Sequence, residues 1–471
     1  MKKDKIKEYE SLYKKAPRLY DLSANLRIDN DDFKANDVIF QTGKYVFALV
    51  LNSYVLFLLN DAINRGIKTL FFLARDAYFY YVIAEKYVKE FDLDITCKYL
   101  YVSRLSLRVP LYHTDIEQAL SYITLSGVDV TPVKVINRAG IAEENRNQFI
   151  TKIANYLNIN KDEQIPRHRL NEVKELLKDD EEFLTQLIDN SKAEFSNALK
   201  YLENEGFGDK ERAAIVDSGW VGSIQQSLNV FRRYLGSKDS LEGYYFGLYE
   251  IPAQALEKDY HSFLFGPRSP LKKKVEFNNC LFECIFSAPH GMTLRYQNDG
   301  CRFSPVLSDI SDKQIQYLKD IEIIIDAYLG KLFEYYSSFQ EVLGLFNNPY
   351  SQKTIENVLF SFMARPSYEE AEAFGRLHFS DDVIDYNNVV LATNLTEKDL
   401  CENHFIRRVL IELRGMLLGQ RHVVNISGWY EGSVMLYSKP SKIKYHLWAY
   451  KHYKYYLQYS KRKRWIRKRE R

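Results

Sequence analysis

The chain has 471 residues, 46% of them apolar and 27% charged, which excludes a disordered or fibrous protein and allows one enlarged core or a core with an annex. Its net charge of +3 conceals an uneven spread: residues 439–471 carry 13 Lys and Arg against Glu470 alone, a charge of +12, leaving −9 on residues 1–438. The body is therefore mildly acidic, and the basic end calls for an anionic partner.

The amino terminus, MKKDKIKEYESLYKK, is charged throughout and leads into no apolar run, so no signal peptide is expected. Residues 45–59 (YVFALVLNSYVLFLL) are more apolar. They are fewer than the roughly 20 a bilayer requires, and Asn52 and Ser53 sit at their centre between Lys44 and Asp61. They read as a buried helix leading into the core.

Four short apolar runs then look like buried parallel strands: 69–74 (TLFFLA), 98–103 (KYLYVS), 213–217 (AAIVD) and 244–249 (YYFGLY). Helical patterns follow two of them directly, at 77–91 and 223–235. Strand, tight polar turn and helix form the unit of an open α/β sheet, which binds ligands at the carboxyl ends of its strands. Residues 105–211 are helical by period and rich in charge, and read as an insertion. The expected organisation is an α/β core (1–104 and 212–300), this insertion, a helical annex (301–438) and a basic aromatic tail (439–471).

Three turns carry chemistry. The first run ends in Leu73-Ala74-Arg75-Asp76-Ala77, where a helix start favours an anion. Arg75 offers a planar fork for phosphate oxygens, and Asp76 a ligand for a metal or a sugar hydroxyl; a capping Asp with an Arg partner is the plainer reading. The second ends in Ser103-Arg104. The third is Val216-Asp217-Ser218-Gly219-Trp220-Val221-Gly222-Ser223, followed by Ile224-Gln225. Gly219 and Gly222 remove Cβ atoms that would hold a phosphate away from the amides. Ser218, Ser223 and Gln225 supply polar groups, and Trp220 either packs the loop or stacks on a sugar.

LARDAY, YVSR and VDSGWVGSIQ, in that order, together with LFECIFSAPHG and its Glu283, resemble the glycan phosphoribosyltransferases of bacterial polysaccharide assembly, modules often fused to a haloacid-dehalogenase phosphatase. The resemblance covers about residues 40–104 and 212–296. It implies an open, mostly parallel sheet of phosphoribosyltransferase type, and transfer of 5-phosphoribose from phosphoribosyl diphosphate (PRPP), usually with Mg²⁺, onto a lipid-linked glycan. On that reading residues 217–225 hold the donor's 5-phosphate, Arg75 and Asp76 face the diphosphate and Arg104 supports it. Asp76 and Asp217 are the catalytic and Mg²⁺-binding candidates. Ser103, Ser218, Gly219, Trp220, Gly222, Ser223, Gln225 and Glu283 join the binding set. The family's loop carries two acids; here Val216 stands where the first would be. A non-catalytic sugar-phosphate binder or scaffold is the alternative.

The phosphatase itself is not expected in this chain: its DxD pair has one candidate, Asp29-Asn30-Asp31, and no apolar strand precedes it. A separate phosphatase acting on the product is. The five cysteines form no CxxC pair, and Cys280 and Cys284 find no second pair or His set to complete a metal site. A reduced, cytoplasmic protein is the expectation. The tail, YHLWAYKHYKYYLQYSKRKRWIRKRER, mixes aromatic and basic side chains. That suits the inner face of a bacterial membrane, where each Lys or Arg adds about 1 kcal/mol. Nucleic acid is not expected as a partner.

Overall fold

The computed structural model describes residues 3–127, 130–237, 239–379, 389–418 and 424–470; parts of the annex expected over 301–438 lie outside them. Strands β1 (Thr69–Leu73), β2 (Thr96–Leu100), β3 (Ala213–Trp220), β4 (Glu242–Leu248) and β5 (Tyr260–Phe265) form one sheet in the order β2-β1-β3-β4-β5. Every pairing is parallel. All five residues of β1 are buried, Leu70 and Phe72 in one core and Phe71 and Leu73 in the other. A strand covered on both faces reads as an unbroken apolar run, which is why TLFFL stands out in the sequence.

Helices Ala48–Arg65 and Tyr78–Phe91 cover one face through Leu49, Leu56, Phe79 and Ile83. Helices Glu181–Asn204 and Ser223–Tyr234 cover the other through Ala198, Leu202, Leu228 and Phe231. The chain leaves β1 toward β2 on one side and continues from β3 toward β4 on the other. The carboxyl ends of β1 and β3 therefore flank the point where strand order reverses, the place where open α/β sheets bind ligands. The α/β class matches the expectation.

Two boundaries differ from the sequence reading. β2 runs from Thr96 to Leu100, earlier than 98–103, because Ser103 is the N-cap of helix Arg104–Arg108. β3 continues past Asp217 to Trp220, because Gly219 and Trp220 pair with Gly247 and Leu248. The edge strand β5 and an antiparallel hairpin of β6 (Thr293–Asn298) and β7 (Phe303–Leu307) carry no such apolar run and went unread.

The insertion has its own core, including Leu120, Ile136, Phe149, Ile153 and Phe183. The annex is divided: Ile321, Ile325, Leu359 and Phe362 share one core with Leu70, Phe72 and helix Ala48–Arg65, while Leu395, Leu400, Tyr430 and Val434 form a small cluster against the tail helix. Residues 45–59 lie in the segment Asp37–Arg65, which is long and apolar enough to cross a membrane; 78% of its apolar window is buried inside the protein. Asn52 is satisfied there, donating to the Ala48 carbonyl at 2.7 Å and accepting from the Tyr87 hydroxyl at 2.9 Å.

The basic tail is one helix, Ile443–Arg469, docked along the body. Trp465 is buried and donates through Nε1–H to the Ile251 carbonyl at 2.7 Å. Arg469 donates to the Pro252 and Ala255 carbonyls, and Lys451 and Lys454 pair with Glu276 and Glu431.

Candidate active site at the reversal of strand order

Among the described residues, four that are not glycine have left-handed backbone: Arg75 (φ 71°), Asp92, Asn158 and Trp220 (φ 67°). Asp92 and Asn158 end helices, the ordinary use of that conformation. Arg75 and Trp220 do not end helices, and they stand at the carboxyl ends of β1 and β3. Left-handed backbone costs a bulky residue about 1–3 kcal/mol and persists only where surroundings hold it in place. At Arg75 they are visible: its N–H donates to the Tyr99 hydroxyl at 2.9 Å, and its Nε–H reaches Ser287 Oγ at 3.4 Å. Tyr99 in turn donates to His290 Nε2 at 2.7 Å, whose Nδ1–H meets the Gly291 carbonyl at 2.8 Å. Burial, with the Arg75 charge nearby, lowers the His290 pKa and keeps the ring in this neutral form.

The acids are set in a different balance. Asp217 is buried within β3, three residues before its end, its main-chain carbonyl held by the Tyr54 hydroxyl at 3.2 Å. Asp76 and Glu283 keep partial solvent access while protein surrounds them. Burial and the neighbouring Asp76 charge push Asp217 well above the usual carboxylate range. Burial and Asp76 also push Glu283 up, against Arg104, the indole Nε1–H of Trp220 and Arg75. Burial raises Asp76 too, opposed by Arg75 and Arg104. Arg104 is exposed, makes no hydrogen bond among the described residues, and its charge bears on all three acids.

Around this cluster, helix Ser223–Tyr234 begins at Gly222 (φ 65°) with no side-chain cap. Its first-turn N–H groups therefore lack intrahelical and side-chain partners. Arg108, one helical turn from Arg104, donates from Nη2 to Ser223 Oγ at 3.4 Å. Charge and hydrogen-bond links thus join Arg75, Asp76, Arg104, Asp217, Trp220 and Glu283 at the carboxyl side of β1 and β3, and Arg108 ties the Gly222-Ser223 helix start to the helix that carries Arg104.

The other candidates serve the framework. Ser218 is buried between the Tyr80 hydroxyl (3.1 Å) and the Asp76 carbonyl (3.2 Å), tying β3 to β1. Ser103 closes a capping box with Ser106 and donates to the Thr293 carbonyl at 2.6 Å. Gln225 is buried, bonded to the Leu241 and Asp259 carbonyls and to the Tyr245 hydroxyl. A Cβ at Gly219 would meet the Gly247 carbonyl at 2.6 Å, and one at Gly222 the Tyr260 ring at 2.7 Å. These glycines are therefore required by packing against β4 and β5 as well as by φ. Because the Asp217, Gly219 and Trp220 backbones join the sheet, the amides left free of the ladder begin at Gly222 rather than at Asp217.

Reading the sequence did not find Tyr99, Ser287, His290 or Arg108. Arg108 had a signal, its four-residue spacing from Arg104, which places both on one helix face. No family model and no curated protein matches this chain. Asp29 and Asp31 lie exposed in a loop that no strand precedes.

Proposed function

We propose that this protein transfers 5-phosphoribose from PRPP to a lipid-linked glycan in the assembly of a capsule or O-antigen, releasing diphosphate. The observation that carries it is the pairing, at the reversal of strand order, of an uncapped helix start with three arginines and three electrostatically linked acids. A donor with phosphate at one end and diphosphate at the other needs both kinds of group within one cleft. The resemblance of LARDAY, YVSR and VDSGWVGSIQ to glycan phosphoribosyltransferases supports the same reading, including a sheet of that type.

On this reading the N–H groups from Gly222 to Gln225, with the Ser223 hydroxyl, hold the 5-phosphate. Arg75, fixed by Tyr99 and Ser287, and the unpaired Arg104 bind the diphosphate and stabilise its charge as the C1–O bond breaks. Val216 is buried in the core beneath the sheet; an acid there would be unpaired, and Asp76, in the turn that follows the adjacent strand β1, supplies the second carboxylate instead. A carboxyl raised by burial above its ordinary range suits general-base work, and Asp76 takes the acceptor hydroxyl's proton.

Asp76 and Asp217 fit Mg²⁺, which prefers oxygen ligands, keeps several waters and needs only one or two carboxylates; a cation would offset the Asp76 charge that raises Asp217. Bound there, Mg²⁺ would neutralise charge on the leaving diphosphate.

The acceptor's lipid gives the tail helix a task. Tyr445, Trp448, Tyr456 and Tyr459 are exposed along one face of this helix. Ile406, Leu410 and Leu413 are exposed on helix Phe405–Leu418, which packs beside it. We assign this aromatic and basic face to the inner leaflet of the membrane. Trp448→Ala combined with Tyr456→Ala should weaken binding to anionic vesicles; unchanged binding contradicts the assignment.

The function is tested by incubating the purified chain with PRPP, Mg²⁺ and a lipid-linked or synthetic glycan acceptor. A mass gain of one phosphoribosyl unit supports it, and that product would need a separate phosphatase to lose its 5-phosphate. No diphosphate release with any acceptor rejects it.

A further inference from the structure

Outside the strand-end site, Cys401, His404 and His446 bring one donor atom each to within 4.8 Å of one another. Cys401 and His404 belong to the annex, three residues apart at the end of helix Glu397–Glu402; His446 lies 42 residues beyond His404, on the tail helix. We propose that these three residues bind a zinc ion that fastens the tail helix to the annex.

The geometry is the first support. His404 Nε2 and His446 Nδ1 are 2.9 Å apart. Zinc bonds of about 2.0–2.1 Å to nitrogen and 2.3 Å to sulfur require tetrahedral donors roughly 3.3–3.7 Å apart, so the observed 2.9 to 4.8 Å brackets the need. The surroundings are the second. His446 turns its other ring nitrogen, Nε2–H, to Glu397 Oε2 at 3.3 Å. A carboxylate behind the far nitrogen of a ligating histidine is the arrangement that fixes ring orientation and leaves the near nitrogen as a lone pair. Glu397 is itself held by the Lys439 N–H at 2.9 Å and Lys442 at 3.2 Å.

Burial is the third. His404 and His446 are 5% and 0% exposed, so their facing ring nitrogens must find partners inside the protein rather than in bulk water. A hydrogen bond between the two rings would occupy one proton and leave Cys401, a free thiol, with no part in the cluster. A metal uses all three donors. Two imidazoles and a thiolate select a borderline-soft ion such as zinc over Mg²⁺, with water in the fourth position. The ion would set the angle of the segment that carries exposed Tyr445 and Trp448.

The test uses the full-length protein, purified without chelator and measured for bound metal, then stripped and titrated with Co²⁺. One zinc per chain, and a cobalt spectrum with visible ligand-field bands and a thiolate charge-transfer band, are the expected results. Cys401→Ser should lose the charge-transfer band, and Glu397→Gln should weaken zinc binding about 10–100-fold. Absence of stoichiometric zinc from the wild type, together with no cobalt band on titration, overturns the proposal without reliance on any variant folding. A charge-transfer band that survives in Cys401→Ser also overturns it.

Discussion

At the amino ends of the strands, Glu242 sits among Arg212, Arg65 and His261, beside an open cavity of about 940 Å³ lined by Arg212, Arg232 and Asp239. Burial pushes the Glu242 carboxyl up, but hydrogen bonds from Arg212 and His261 hold it below the usual range. At the carboxyl ends the same residue types are left unbalanced. Asp76, Asp217 and Glu283 are all raised, Arg104 is unpaired, and Arg75 and Trp220 hold a conformation that side chains resist. Paired charges at one end stabilise the fold. Unpaired charges and strain at the other cost stability, and such cost gathers where a ligand is to complete the arrangement. The cavity at the amino ends is therefore the weaker candidate for chemistry.

The largest effect that sharpens this contrast is catalytic. Asp76→Asn should lower phosphoribosyl transfer about 10²–10⁴-fold, whereas Glu242→Gln should leave kcat/KM within a factor of two of the wild type, roughly its uncertainty in such comparisons. Comparable losses in both variants would erase the distinction between the two ends.

The next effect is in stability against pH. A carboxyl raised in the folded state holds its proton more tightly folded than unfolded, so wild-type stability falls as pH rises above the ordinary value of about 4. Asp217→Asn should therefore gain on the wild type as pH rises through the near-neutral range. Glu242 is lowered, so its contribution is present above that value and lost below it. Glu242→Gln should be less stable than wild type by about 1 kcal/mol at neutral pH, converging with it in acid. Denaturant midpoints of the three proteins across pH measure both slopes, and a common slope would refute the account. Trp220→Phe should do least: it keeps the ring among Phe277 and Phe282 but removes the donor to Glu283. The acid limb of the pH–rate profile then moves upward with little change in maximal rate.

Legibility in the sequence followed burial. β1 and β3 are covered on both faces and announce themselves as apolar runs, while β5, YHSFLF, is an edge strand with four half-exposed positions. Arg75, Asp76 and Asp217 were visible because a charge ending an apolar run is conspicuous. What supports them was not: Ser287 and His290 reach the cleft only by folding across about 200 residues of chain. Cys401 and His404 lacked a visible partner for the same reason, since His446 joins them only when the tail helix docks. Ser218 and Gln225 show the converse. Their place in a loop pattern suggested ligand contact, but β3 extends past Asp217 and turns both side chains into the framework.

The most direct test of the central claim is release of diphosphate from PRPP in the presence of Mg²⁺ and a glycan acceptor, compared between wild type and Asp76→Asn of equal thermal stability. Release and a phosphoribosylated acceptor from the wild type, and neither from the variant, is the predicted result. Full release by Asp76→Asn, or none by the wild type, would contradict a phosphoribosyl site at the ends of β1 and β3.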